Sequence, residues 1–242
     1  MRKIIICLLL LLVSCKGTEK RPYTIAIDKN WYSIVLNGQE ANLNGFLSEV
    51  LLTIAKNKKM EFKLIEANWD DIFNDLDRKK YQAIFSALEE LNFNVAKYDF
   101  SEDIIKTGFV LITAKGAKYE NLNDLSTKHV GYLKDSPSLA LLQRHQDIFA
   151  SPYDALPTLL DSIIKDDTQA AILSIIPAYK YVSDLYQNEL KIIEPSLTDQ
   201  AIRLVTLKDE NRDLLNLFNK SLEKLKKDNQ LDKLKEKWGL PH

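Results

Sequence analysis

Short β-branched runs alternate with helix-periodic apolar stretches along most of this chain, and that alternation restricts the fold more than any other feature. Residues 23–27 form the first run, and 46–56 carry helical apolar spacing through Phe46, Val50, Leu51 and Ile54. Residues 61–65 alternate as a strand does, 70–76 open with acidic residues that suit the first turn of a helix, and 83–85 are again a short apolar strand. This βαβαβ rhythm predicts an α/β fold with a parallel sheet flanked by helices. A longer apolar strand at 108–113 opens a second set, with segments at 122–125, 130–133, 138–143, 155–164, 170–173 and 177–186. Closing strands follow at 191–193 and 201–207. From Arg212 the chain reads as helix, striped by Leu215, Phe218, Leu222 and Leu225, then by Leu231, Leu234 and Trp238. Lys224, Lys226 and Lys227 read as its solvated face. No internal repeat or glycine-rich linker separates the two sets, so two lobes would have to be joined by strands.

The first residues set the compartment. Arg2 and Lys3 precede an unbroken apolar run at 4–13. That run is too short to span a bilayer, which takes about 20 apolar residues, and its flanks are those of a secretory signal. Leu12-Val13-Ser14-Cys15 reads as a bacterial lipobox. It predicts a signal peptide at 1–14, a diacylglyceryl group on Cys15 and a polar tether at 15–21. A plain cleaved signal with a chance cysteine is the alternative. The expected product is exported and lipid-anchored to a bacterial membrane, facing the periplasm or the cell surface.

The other cysteine, Cys7, lies within the leader, so the mature domain has no internal disulfide and rests on its core alone. About 220 residues after the leader are enough for two lobes. The chain has 33 basic and 34 acidic residues; without Arg2 and Lys3 the balance is 31 to 34, weakly acidic. No basic run interleaved with aromatics appears, which argues against nucleic acid as partner.

Six segments, taken in order, carry a resemblance. Asn44-Gly45-Phe46-Leu47-Ser48-Glu49 resembles a Gly-Phe-x-x-Asp/Glu helix start, and Ala67-Asn68-Trp69-Asp70-Asp71-Ile72 an aromatic-Asp segment before the second helix. Lys97-Tyr98-Asp99-Phe100-Ser101 is similar to a Val-Asp-Phe-Ser turn. Asn123-Asp124-Leu125 and Val130-Gly131-Tyr132 resemble Leu-x-Asp-Leu and Val-Gly-Val, and Asp228-Asn229-Gln230-Leu231 to Lys237-Trp238-Gly239 a characteristic closing helix. Together they resemble the family-3 bacterial solute-binding proteins, the polar amino-acid receptors of ABC importers.

The resemblance implies a two-lobed, type II periplasmic-binding-protein fold with two parallel-sheet lobes joined by a two-strand hinge. It places lobe 1 at 22–112 plus 205–242 and lobe 2 at 113–204, with crossings near Thr113 and Val205. Two strand crossings permit hinge bending with both lobes intact, and such interlobe clefts are typical small-molecule sites. It also implies a monomer that delivers an amino acid or derivative to an inner-membrane permease, without enzymatic activity and without a cofactor or metal.

Within the implied cleft, Asp28 ends the first strand as a pocket-edge acid. Trp31 and Trp69 stand where aromatic residues flank the ligand, with core packing as the alternative for both. Ser86 follows the third strand where the family receives the ligand amine. Ser136, in Asp135-Ser136-Pro137-Ser138, resembles a hydroxyl at a carboxylate-binding helix start, or is simply an N-cap. Two positions depart from the pattern: Asn94 stands for the family's carboxylate-binding arginine on lobe 1, and Ser174 for its amine-binding aspartate on lobe 2. Glu89 is a new charge nearby that would suit a cation, or a solvated loop residue.

Two other functions fit the same fold. An exported cyclohexadienyl dehydratase would need a tuned acid in the pocket; Asp28 and Glu89 are candidates, but neither lies in a catalytic motif. His129, His145 and His242 lack metal-ligand spacing. A surface or sensory lipoprotein without a transport role is the third reading.

Overall fold

In the computed structural model, which describes residues 22–58 and 60–242, the chain builds two sheets in succession and then returns to the first. The leader, Cys15 and the tether expected at 15–21 lie outside the described residues. In chain order the first part comprises β1 (Tyr23–Asp28), α1 (Glu40–Lys58), β2 (Phe62–Ala67), α2 (Trp69–Asp77), β3 (Ala83–Ser86), α3 (Asn92–Val95), β4 (Tyr98–Phe100) and β5 (Ile105–Lys106). The second comprises β6 (Phe109–Ala114), β7 (His129–Leu133), α4 (Leu139–Leu142), β8 (Phe149–Tyr153), α5 (Leu156–Ile164), β9 (Ala170–Ser174), α6 (Ile175–Leu185) and β10 (Leu190–Ile193). The chain closes with β11 (Ala201–Leu207), α7 (Arg212–Lys227) and α8 (Gln230–Lys237).

The first sheet has the order β2-β1-β3-β11-β4, with β5 also on β11; the second runs β10-β6-β9-β7-β8. Each has a parallel heart, β2-β1-β3 in one and β8-β7-β9 in the other. Both are mixed rather than wholly parallel, because β11 on the first sheet and β6 on the second pair antiparallel with their neighbours. Those strands enter from the other lobe, so they approach without a helical crossover.

Side chains alternate between two apolar layers along each central strand. On β1, Ile25 and Ile27 join a cluster containing Phe46 and Leu47 of α1, while Ala26 faces Ile72 and Leu76 of α2. On β6, Val110 and Ile112 join the first of these clusters, while Phe109 and Leu111 face Leu125 and Leu142. Strands covered on both faces read as continuous apolar runs, which is why 108–113 stood out in the sequence.

Sheet membership moves the crossings. β5 belongs to the first sheet and β6 wholly to the second, so the outgoing crossing is Thr107–Gly108 rather than near Thr113. The return lies between β10 and β11, at 194–200, rather than near Val205. Thr113 pairs with Ala170 and Lys191, and Val205 with Ile84 and Phe100. Where a strand changes sheets is decided by its hydrogen-bond partners, and an apolar run does not name them.

Helix α1 begins at Glu40, six residues before the expected start. Glycine inside a helix costs about 1 kcal/mol relative to alanine, so Gly45 reads as a boundary in sequence. In the fold it is an interior position: a Cβ there would overlap the Trp238 indole ring, which lies against the helix. Trp238 Nε1 and Lys237 Nζ both donate to the Glu49 carboxylate, at 2.8 and 2.7 Å.

The Lys237 bond, followed by that from Trp238, holds the Glu49 carboxyl below its ordinary pKa. A carboxyl depressed in the folded state adds stability above its unfolded pKa and loses it as pH falls through the folded one. Because the pair is partly exposed, its contribution is about 0–1 kcal/mol. Glu49→Gln is therefore expected to be slightly less stable than wild type at neutral pH. The difference in urea midpoint should vanish as pH drops below the carboxylate range; a gap that persists in acid would show that the charge is not its source.

Candidate functional site

Between the lobes, beside the crossings, lies a cavity of about 500 Å³. Glu89, Glu90, Leu91 and Arg203 line it from the first lobe; Phe109, Pro137, Leu141 and Arg144 line it from the second. The return crossing adds Thr198, Asp199 and Gln200. Its size falls within the usual range for small-molecule sites, and its apolar patches sit among charges of both signs.

Of the residues expected at the cleft, Glu89 alone lines this cavity. Its carboxylate accepts from Gln200 Nε2 at 2.8 Å. Two others stand one layer behind it and shape its loop. Asn94 is buried and donates from Nδ2 to the Glu89 carbonyl at 2.8 Å, and the Ser86 hydroxyl accepts from the Leu88 N–H at 3.1 Å. Ser174, also buried, donates to the Thr107 carbonyl at 3.3 Å and so ties the end of β9 to the outgoing crossing. Neither Asn94 nor Ser174, the positions matched to the family's charged anchors, lines the cavity.

Asp28 and Trp31 form a different unit. The buried Asp28 carboxylate accepts the backbone N–H groups of Asn30 at 3.2 Å and Tyr32 at 2.6 Å. The loop it closes turns Trp31 inward, with φ at +52°, a conformation that L side chains disfavour. Trp31 is 1% exposed within the large apolar cluster, and its Nε1 donates to Asn44 Oδ1 at 2.8 Å. Trp69 is half-buried against the opposite layer, edge-on to Phe73 at 5.6 Å. The core alternative therefore describes both rings.

Ser136 lines a second opening of about 340 Å³, together with Val35 and Asn37 of the first lobe and Tyr181 of the second. Its Oγ accepts the Ser138 N–H at 3.2 Å and lies 2.8 Å from the Ser138 Oγ. The helix that follows is the single turn α4, shorter than the 138–143 expected.

Arg203 was missed by sequence reasoning. It stands on β11 opposite Ser86 with its side chain 14% exposed. Its Nε meets Glu90 at 3.1 Å and its Nη2 meets Asp103 at 2.6 Å. Lys106 contacts Asp103 at 2.7 Å and approaches Asp199 at 3.9 Å, so the network runs from the cavity wall across both crossings. A lone charge inside Ala201-Ile202-Arg203-Leu204-Val205 was the available signal, since a buried charge demands partners. Arg144, exposed after α4, carried no such signal.

Known proteins place this architecture. The chain is 24% identical over 226 residues to the L-cystine-binding protein TcyJ of Escherichia coli K12, covering 92% of this chain and 84% of that one. It is 23% identical over 205 residues to the arginine-binding extracellular protein ArtP of Bacillus subtilis 168, covering 81% and 78%. The L-cystine solute receptor of Neisseria gonorrhoeae, in its unliganded open conformation, superposes with a TM-score of 0.73 at 19% identity, over 90% of this chain and 92% of that one. These relatives are receptors rather than enzymes, and the shared fold is the two-lobed type II periplasmic-binding-protein fold. The family model for bacterial extracellular solute-binding proteins, family 3, matches residues 23–241, and the chain belongs to that family.

Proposed function

We propose that the chain is the substrate-binding lipoprotein of an ABC importer, closing its lobes on a small polar solute, an amino acid or derivative, and delivering it to a membrane permease. The observation that carries this reading is the interlobe cavity, lined by charged groups of both lobes and bordered by two strand crossings. Receptors of L-cystine and arginine among the relatives support an amino-acid-like solute. On this reading Cys15 bears the lipid and the domain works as a monomer. Among the described residues no helix is long and apolar enough to cross a membrane.

The test is calorimetry of protein refolded free of solute, against the standard amino acids and L-cystine, with X-ray scattering of the same samples. A tight binder that also compacts the molecule is the expected result. Binding without compaction would refute lobe closure, and absence of any binder would refute the solute class. Cys15→Ser is expected to release the protein from membranes; membrane retention of that variant would refute lipidation at Cys15.

A further inference from the structure

The cavity's charges are not equivalent, and the difference assigns an orientation to the solute. Glu90 is taken by Arg203, which Asp103 holds from the other side. Asp199 is fully exposed to solvent and approaches Lys106, where screening weakens it. Glu89 is bonded to the neutral amide of Gln200 and forms no ion pair among the described residues. Arg144, on the facing lobe, likewise forms no ion pair among the described residues. The cavity thus keeps one uncompensated anion on the first lobe and one uncompensated cation on the second. Leu91, Phe109 and Leu141 supply apolar surface around them.

We infer that Glu89 and Arg144 are the specificity-determining pair of the site. They select a zwitterionic solute whose cationic group lies on the first lobe and whose carboxylate lies on the second. This inference rests on the receptor reading above and deepens it. The orientation is opposite to the one the resemblance implies, with arginine on the first lobe and aspartate on the second. Here those two positions, Asn94 and Ser174, are spent on the Glu89 loop and on the crossing. A dianion would meet the uncompensated Glu89 carboxylate, and a dication would leave Arg144 facing a positive charge. A solute carrying groups of both signs satisfies both walls, and lobe closure strengthens both contacts by displacing water.

Glu89 is also placed to respond to occupancy. Its backbone carbonyl accepts from both Asn94 Nδ2 and the Leu91 N–H, which fixes the loop while the carboxylate remains accessible. Gln200, its present partner, accepts at its own carbonyl the N–H groups of Thr107 and Gly108 on the outgoing crossing. A ligand cation on Glu89 therefore competes with a residue that holds the two crossings together.

The experiment measures affinity at low salt for the tightest binder among the standard amino acids and L-cystine, and for that compound's decarboxylated amine. Wild type, Glu89→Gln, Arg144→Gln and Arg144→Lys are compared. Each glutamine variant is expected to weaken the zwitterion about 10- to 100-fold, with Arg144→Lys recovering most of its loss. Arg144→Gln should leave the affinity for the amine within about twofold of wild type, whereas Glu89→Gln should weaken the amine as well. Both side chains are exposed, so unchanged melting curves are expected to confirm folding. Binding unmoved by either variant, or an amine weakened by Arg144→Gln as much as the zwitterion, overturns the orientation and leaves the receptor reading intact. Absence of any binder overturns both.

Discussion

Replacing Trp31 with alanine is expected to lower the stability of the folded domain by about 3–5 kcal/mol, the usual cost of emptying a large core site. Three contributions act together. The ring is among the largest fully buried side chains, and its removal leaves a void in the cluster that includes Leu43, Phe46 and Leu47. Asn44 loses the donor of its 2.8 Å bond, so a half-buried carbonyl is left without its indole partner. The backbone at +52° is retained, and alanine gains nothing to offset that conformation. Trp69→Ala, at a half-buried ring that is edge-on to Phe73, is expected to cost less, about 1–2 kcal/mol. Urea denaturation gives both losses, and calorimetry gives solute affinity on the same samples. A Trp31→Ala variant with the wild-type midpoint and impaired binding would return the ring to the cleft wall.

The second large effect is expected at Gly108, where the outgoing crossing touches the returning one. A Cβ there would overlap the Thr198 carbonyl oxygen and come within 2.6 Å of its Oγ1. The position cannot simply retreat. Its N–H donates to the Gln200 carbonyl at 3.2 Å, and its own carbonyl accepts the Ile175 N–H at 2.8 Å. The neighbouring Phe109 N–H donates to the Thr198 hydroxyl at 3.0 Å, so the two segments are bonded where they are closest. Overpacking a tight site costs about 1–3 kcal/mol, and relief here requires the crossings to separate. Gly108→Ala should therefore lower the urea midpoint and change the difference in scattering radius between solute-free and solute-bound protein. Adding Thr198→Gly should recover little, because the backbone carbonyl remains. Wild-type stability with unchanged closure would show that the crossings are not in contact.

The contrast between Trp31 and Glu89 shows what could be read from the chain before folding. Both were candidates for the cleft on position along the sequence. Trp31 lies a few residues beyond a strand end, but the Asp28 carboxylate captures two N–H groups and turns the indole into the core. Glu89 follows a strand end too, yet its loop is pinned by Asn94 from α3, leaving the carboxylate toward the cavity. Loop geometry of this kind depends on hydrogen bonds between residues that no spacing rule singles out. Arg144 and Gln200 are a stronger case, since neither becomes significant until the second lobe and the return crossing come together.

The sequence alone determined the features that depend on local pattern. Alternating strand and helix periods, with strands apolar on both faces, required an α/β fold, and the ordered segments from Gly45 to Gly239 pointed to the solute-binding family. The charge balance likewise needed no structure to interpret. Tertiary structure decided everything that depends on which distant segments meet. It moved the crossings to Thr107–Gly108 and 194–200, made Gly45 an interior helix residue beneath Trp238, and set Arg203 between Glu90 and Asp103. Hydrophobic periodicity is a property of short windows and survives in the sequence. Strand pairing, close backbone approach and charge compensation join residues far apart in the chain, and they exist only once it has folded.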